Sequence, residues 1–217
     1  DPVIHLLDSA VPEEQLEEFL PAARNAGVDF YTFARPEPWL EEMVDELRDS
    51  GCLMLQLGLE SGSEDILKKF HKGICPETSL NILRRSSEKG IRTYGYMLAG
   101  LPGETERDYR LTLDFLQAAG DTIDFVNFSI FNLPETCLLT AEADEIGLEL
   151  VDTGIPEDAI KLYQPFLYRN TNPRIDARRF ISQRVTEIDS VSAALRRTPK
   201  WFRTSHFPLM DIPGRKN

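Results

Sequence analysis

Gln56-Leu57-Gly58-Leu59-Glu60-Ser61-Gly62-Ser63 is the stretch that decides the fold of this chain. An almost uninterrupted apolar run over residues 53–59 leads into it, as is typical of a parallel strand buried on both faces. Glu60 and Ser61 therefore lie at the carboxyl end of the strand, where parallel sheets and barrels place their ligand-binding residues. A carboxylate in that position is costly to bury unless it has a partner. The serine has a structural alternative, because Ser61 and Glu64 match a helix capping box.

The chain around this strand repeats one pattern. Four predicted amphipathic helices each end at a glycine, and an apolar strand follows within a few residues; the glycines are Gly27, Gly51, Gly90 and Gly120. Such alternation predicts parallel strands in either an open doubly wound sheet or a barrel. Because the first strand-to-helix turn lacks a G-x-G-x-x-G motif, a dinucleotide-binding sheet is the weaker choice. We therefore predict an α/β fold built as a partial (βα) barrel.

The repeating pattern loosens after strand five, which divides the chain into two predicted parts. Residues 1–139 form the barrel part, and residues 140–217 form a C-terminal extension. Within the extension we predict a further strand over 161–169, a long helix over 176–197, and an irregular tail over 198–217.

Composition narrows the class of protein. The chain has 217 residues and a net charge of −12, which argues against a broad nucleic-acid-binding face. It contains no apolar run of about 18 residues, so we expect no membrane span. The cysteines Cys52, Cys75 and Cys137 have no disulfide-like spacing, which favours reduced thiols and a cytoplasmic location. The chain begins at Asp1 without a methionine, and we expect it to be a piece of a longer protein.

Three segments, in this order and at these distances, resemble the radical S-adenosylmethionine superfamily. They are Glu60-Ser61-Gly62-Ser63 with Lys72-Gly73, the stretch from Gly95 to Thr105, and Leu133-Pro134-Glu135-Thr136. The resemblance covers residues 3–139 and is nearest to members that follow a cobalamin-binding domain. It implies a six-stranded, TIM-like partial barrel, present here without its first strand, with S-adenosylmethionine across the carboxyl ends of the strands. The implied reaction is reductive cleavage of S-adenosylmethionine by a 4Fe-4S cluster, which gives a 5'-deoxyadenosyl radical.

The resemblance also implies which residues hold the methionine and ribose parts of the cofactor. Asp8 and Ser9 match the strand end that holds the methionine amino group. Glu60, with Ser61 beside it, matches the residue that contacts the ribose hydroxyls. Lys72 falls where the family has a cation for the methionine carboxylate, although a cation stabilising a helix C-terminus is the structural alternative.

The adenine side of the implied site lies on the later strands. The backbone from Leu98 to Gly100 matches the strand that runs along the adenine ring, and Phe131 matches the contact made by the last strand. Arg35 ends the second strand and faces the same mouth. The segment Gly103-Glu104-Thr105 has a structural alternative, since Thr105 and Asp108 could form a helix capping pair.

One part of the family pattern is missing. The cluster of the family is held by a C-x-x-x-C-x-x-C loop after the first strand, and none of the three cysteines has that spacing. We therefore expect the loop to lie upstream of Asp1, and this chain by itself to be inactive. The full-length enzyme would need an unidentified substrate, a reductant such as ferredoxin or flavodoxin, and, in the cobalamin subgroup, cobalamin on an upstream domain.

Two other readings remain open. The chain could be a non-catalytic barrel remnant that binds a small molecule or a protein. It could also be an ordinary barrel enzyme that uses phosphate or a metal, although His5, His71 and His206 lack the spacing of metal ligands.

Overall fold

The computed structural model of the chain describes residues 3–6, 10–135, 137–152, 154, 162–169 and 173–199. Strands and helices alternate through most of these residues. The strands are β1 (Val3–Leu6), β2 (Asp29–Ala34), β3 (Cys52–Glu60), β4 (Arg92–Ala99), β5 (Phe125–Ile130), β6 (Leu148–Leu150) and β7 (Phe166–Tyr168). The helices are α1 (Glu13–Ala26), α2 (Pro38–Asp49), α3 (Glu64–Lys69), α4 (Pro76–Glu88), α5 (Glu106–Ala119), α6 (Leu138–Ala141), α7 (Pro173–Arg179) and α8 (Asp189–Arg197).

Strands β1 to β5 form one sheet in sequential order, and all four pairings are parallel. A doubly wound sheet reverses its strand order at a switch point, whereas a barrel adds its strands in sequence. The predicted α/β fold with a barrel-like parallel sheet is therefore confirmed. The glycines that end the helices have the backbone that this pattern needs. Gly51, for example, has a φ of 95°, and a Cβ atom there would lie 2.7 Å from the carbonyl oxygen of Val28.

The two faces of the sheet have different surroundings. The convex face packs against the helices and contributes to a large apolar core that includes Leu55, Leu57 and Leu59 of β3. Because side chains alternate along a strand, the next residues face the concave side. On that side a separate buried cluster fills the interior toward the amino ends of the strands, which we call the lower layer. It consists of Tyr31, Met54, Tyr94 and Phe125.

The C-terminal extension differs from its prediction in two places. The strand predicted over 161–169 is observed only as β7, and it pairs antiparallel with β6 instead of joining the parallel sheet. The helix predicted over 176–197 is interrupted between α7 and α8 by a π-helical turn, a 3-10 turn and an extended Ile188. The irregular tail lies outside the described residues from position 200 onward. The division of the chain at residue 139 stays a prediction.

The helices of the described residues are all too short or too polar to cross a membrane.

Candidate cofactor site at the carboxyl ends of the strands

A cavity of about 580 Å³ opens on the concave side of the sheet at the carboxyl ends of β2, β3 and β4. Its volume lies in the range of pockets that take cofactor-sized ligands. The polar and charged side chains of its wall are Arg35, Gln56, Glu60, Lys72 and Tyr96. The cavity therefore lies at the edge of the sheet that the strand pattern predicts for ligand binding.

Glu60 has an unusual backbone conformation at the rim of this cavity. Its φ is 62°, in the left-handed region, where residues other than glycine are uncommon. The pairing of β3 with β4 is irregular at the same point, between Gly58 and Glu60. A β-bulge of this kind re-aims a side chain. Gly58 leaves room for the new direction, because a Cβ atom there would lie 3.3 Å from Oε1 of Glu60.

The mouth of the cavity is charged. Lys72 follows α3, and its Nζ lies 3.2 Å from Oε2 of Glu60, with both side chains about one quarter to one third exposed. Arg35 donates a hydrogen bond to the carbonyl of Lys72, and its Nε lies 3.0 Å from a carboxylate oxygen of Glu37. The structure therefore brings together three of the predicted site residues, Arg35, Glu60 and Lys72.

Ser61 lies on the other side of β3 from the cavity. It is 1% exposed, and its hydroxyl is 3.2 Å from that of Thr112 on α5. It does not cap α3 either: the cap is Ser63, whose Oγ accepts a hydrogen bond from the Ile66 amide. In this structure Ser61 thus has a packing role and does not line the cavity beside Glu60. Asp8 and Ser9, predicted for the methionine amino group, lie outside the described residues.

The residues predicted for the adenine side lie away from this cavity. The amide of Gly100 donates to Glu104 over 2.6 Å, and its carbonyl accepts from the Tyr168 hydroxyl over 2.7 Å. Phe131 is buried in a second apolar cluster, against which Leu98 packs. The backbone groups of Gly100 are thus engaged within the chain, and the adenine role of these three residues stays a prediction.

Glu104 supports the loop after β4. Its carboxylate accepts hydrogen bonds from the amides of Gly100 and Leu101 at 2.6 and 3.2 Å. Burial nevertheless raises the pKa of this carboxyl to about 7, because desolvation outweighs the hydrogen bonds. Thr105 and Asp108 form the predicted capping box at the start of α5.

Below the charged mouth lies a layer of neutral polar groups that sequence reasoning missed. The hydroxyl of Tyr96 donates to Oε1 of Gln56 over 2.7 Å, and Nε2 of Gln56 lies 3.1 Å from Nε2 of His5. An amide nitrogen can only donate, so in this arrangement Nε2 of His5 is the acceptor. The sequence feature that could have indicated this layer is Gln56, a polar residue inside an apolar strand. In the structure Gln56 is 1% exposed.

The residues of the cavity fit S-adenosylmethionine. Glu60 offers oxygens that can accept hydrogen bonds from two ribose hydroxyls, and Lys72 and Arg35 offer positive charge for a carboxylate. The space beside Gly58 would be filled by any larger side chain. The described residues do not fit a 4Fe-4S cluster, since no three of their His, Cys, Asp or Glu side chains are placed to hold a metal. Cys52, moreover, is buried, and burial raises its thiol pKa to about 12.

Comparisons with known proteins find relatives of this chain. An uncharacterized methyltransferase of Pyrococcus horikoshii is 28% identical over 97 residues, which is 45% of this chain and 21% of that protein. The tRNA-2-methylthio-N(6)-dimethylallyladenosine synthase of Zymomonas mobilis is 31% identical over 99 residues, or 44% of this chain and 22% of that protein. The matches thus span about a fifth of the length of these curated relatives.

A solved structure shares the fold. The radical S-adenosylmethionine methyltransferase TsrM from Kitasatospora setae, with cobalamin and a [4Fe-4S] cluster bound, superposes with a TM-score of 0.66 at 17% identity. The match covers 86% of this chain and 44% of that protein. The sequence model of the Radical SAM superfamily matches residues 7–116, just over half of the 217 residues. The chain therefore belongs to the radical S-adenosylmethionine superfamily.

Proposed function

We propose that the cavity between Arg35, Glu60 and Lys72 binds S-adenosylmethionine. The observation that carries this proposal is the strained backbone of Glu60, which has a φ of 62° and lies next to a bulge. Strain of this kind costs about 1–3 kcal/mol and is concentrated at functional sites. A carboxylate held in this way at the end of a barrel strand is suited to bind the two ribose hydroxyls.

Lys72 would then bind the methionine carboxylate. In the absence of a ligand it pairs with Glu60, and an ion pair that is partly exposed contributes only about 0–1 kcal/mol. Exchanging this pair for contacts with a ligand therefore costs little. Arg35 supplies a second positive charge at the same mouth. Asp8 and Ser9, which follow β1 in the sequence, would contribute to binding the amino group.

For the whole protein we propose the reaction of its superfamily, reductive cleavage of S-adenosylmethionine. When bound, S-adenosylmethionine would supply the 5'-deoxyadenosyl group. The described residues would hold the cofactor but offer no ligand set for the cluster, so we expect this chain alone not to cleave it. We further propose a cytoplasmic enzyme that takes electrons from ferredoxin or flavodoxin, with cobalamin as a further cofactor if it belongs to that subgroup. The absence of a nucleic-acid partner stays a prediction, because one relative is named as a tRNA-modifying enzyme.

Paired lysine variants test the cofactor site. Lys72→Met removes the proposed carboxylate ligand, and its matched control Lys68→Met removes an exposed lysine that pairs with Glu64 along α3. Because a hydrogen bond to a charged group contributes about 1.5–3 kcal/mol, Lys72→Met should weaken S-adenosylmethionine binding about tenfold to a hundredfold. Calorimetry on both variants measures this, and equal affinities for the two would contradict the site.

A further inference from the structure

The concave face of the sheet continues beyond the cavity onto β5. Val126, Phe128 and Ile130 pack into the core on the convex side. Since side chains alternate along a strand, Asn127 and Ser129 face the concave side. Asn127 is the register partner of Tyr96 on β4, and parallel strands lie about 4.8 Å apart. Tyr96, Asn127 and Ser129 therefore form one continuous polar strip, which we call the β4–β5 strip.

The polar character of this strip is unusual for the inside of a barrel. Barrel interiors are mostly filled by bulky apolar side chains, and the lower layer here is filled by the bulky side chains of Tyr31, Met54 and Phe125. The layer above departs from this pattern. Gln56 and Tyr96 bond to each other in this layer, whereas Asn127 is half-buried and Ser129 is exposed, so their polar groups are accessible to a ligand.

The two amides of this layer differ in availability. Gln56 is buried, and both ends of its amide are engaged, with Tyr96 and with His5. Asn127 is half-buried, and the one bond of its amide to another described side chain is a long one of 3.4 Å to the hydroxyl of Ser129, which is exposed. Gln56 thus holds the ring of Tyr96 in place, whereas Asn127 and Ser129 can exchange their local bond for a ligand.

The strip also differs from the mouth in charge. Tyr96 stays neutral, because burial raises its pKa well above the ordinary value, and Asn127 and Ser129 do not ionise. The charged groups that line the cavity, Arg35, Glu60 and Lys72, lie at the mouth. A charged ligand placed on the strip would lose hydration without gaining a counter-charge from it.

We propose that the β4–β5 strip is the substrate site, and that it takes a neutral planar ring with hydrogen-bonding groups at its edge. The ring would stack on Tyr96, which already packs against Tyr94 and Phe33 with ring centroids 4.4 and 5.8 Å apart. Asn127 and Ser129 would bind the edge of the ring. This inference rests on the proposed function, because it assigns the charged mouth to the cofactor and the neutral strip to the substrate.

The test is an NMR titration of the full chain with and without saturating S-adenosylmethionine. Indole and 1-methylcytosine serve as neutral ring probes, and orotate serves as an anionic ring of similar size. The variants are Asn127→Ala and Tyr96→Leu, and Gln117→Ala is the matched control, since it removes an exposed amide on α5. Asn127 is partly exposed, so Asn127→Ala keeps the test valid if Tyr96→Leu fails to fold.

We expect both neutral rings to bind with S-adenosylmethionine present, and orotate to bind at least about tenfold more weakly. Asn127→Ala and Tyr96→Leu should each weaken ring binding about tenfold, as loss of a stacking partner or a hydrogen bond does. Gln117→Ala should leave ring binding unchanged. Equal ring affinity in Asn127→Ala and Gln117→Ala, or orotate binding as tight as that of indole, would overturn the proposal. Displacement of the rings by S-adenosylmethionine would also overturn it, since the strip would then belong to the cofactor site.

The same titrations separate this inference from the proposed function. Asn127→Ala should leave the affinity for S-adenosylmethionine unchanged, and Lys72→Met should leave ring binding unchanged. If Lys72→Met has no effect on cofactor affinity, the proposed function fails by a result that does not involve the strip.

Discussion

Replacing Glu60 by glycine should give a more stable fold than replacing it by alanine, and both changes should weaken cofactor binding. A residue other than glycine at a φ of 62° is strained by about 1–2 kcal/mol, and glycine has no such penalty. Glu60→Ala keeps the strain and Glu60→Gly removes it. Both variants lose the ion pair with Lys72 equally. The difference between their free energies of unfolding therefore reports the effect of the backbone conformation.

The expected difference in Tm follows from the length of the chain. A gain of about 1 kcal/mol raises the Tm of a chain of about 200 residues by about 2–4 °C. Glu60→Gly should therefore melt about 2–4 °C above Glu60→Ala. Both should bind S-adenosylmethionine about tenfold to a hundredfold more weakly than the natural chain, since the hydrogen bonds of the carboxylate to ribose are lost.

His71 provides a matched control for this experiment. It is exposed, has a φ of 50°, and does not line the cavity. His71→Gly should also melt above His71→Ala, but cofactor affinity should not change in either. Scanning calorimetry and isothermal titration on one preparation of each variant give both quantities. The reasoning is refuted if Glu60→Gly is no more stable than Glu60→Ala, or if both keep the natural affinity.

Three further predictions concern the rest of the chain. Because the pKa of the Glu104 carboxyl is raised in the fold to about 7, the free energy of unfolding should fall as pH rises from about 4.5 to about 7. Glu104→Gln should flatten that dependence in a series of melting curves, and an equally steep curve would contradict it. Thr198→Val should destabilise the fold by about 1–3 kcal/mol, because the buried hydroxyl bonds both backbone groups of Val126 at the edge of β5. Urea unfolding measures the change, and a value below experimental error would contradict the prediction. Anaerobic reconstitution should leave the chain free of iron and labile sulfide by elemental analysis, whereas stoichiometric iron would show that its cysteines converge.

Much of the fold could be read from local patterns because local physics determines it. The apolar run of β3, the glycines that end the helices, and the capping box of Thr105 and Asp108 each need only neighbouring residues. The pairing of β7 could not be predicted in the same way. Its three residues are aromatic and apolar, as a barrel strand would be, but its partner β6 is chosen by tertiary contacts with the cluster around Phe131.

The sequence indicated that Arg35, Glu60 and Lys72 would lie together, but it did not indicate their geometry. The position of Glu60 followed from its place after an apolar strand, but its left-handed backbone could not, since propensity disfavours that conformation for glutamate. The direction of the Ser61 side chain could not be predicted for a related reason. The bulge at Glu60 turns the chain, and the next side chain is directed toward Thr112 on α5 and away from the cavity.

Three residues on the concave side of β3 depart from what a stable barrel strand would carry. Glu60 is strained, Gly58 leaves a gap in a strand, and Gln56 places an amide inside an apolar run. A strand selected only for stability would carry a branched apolar residue at each of these concave positions. All three belong to β3, at successive layers from the neutral interior to the charged mouth. None of the three improves the packing of the strand, and the proposed binding of a ligand on the concave face of β3 would account for all three together.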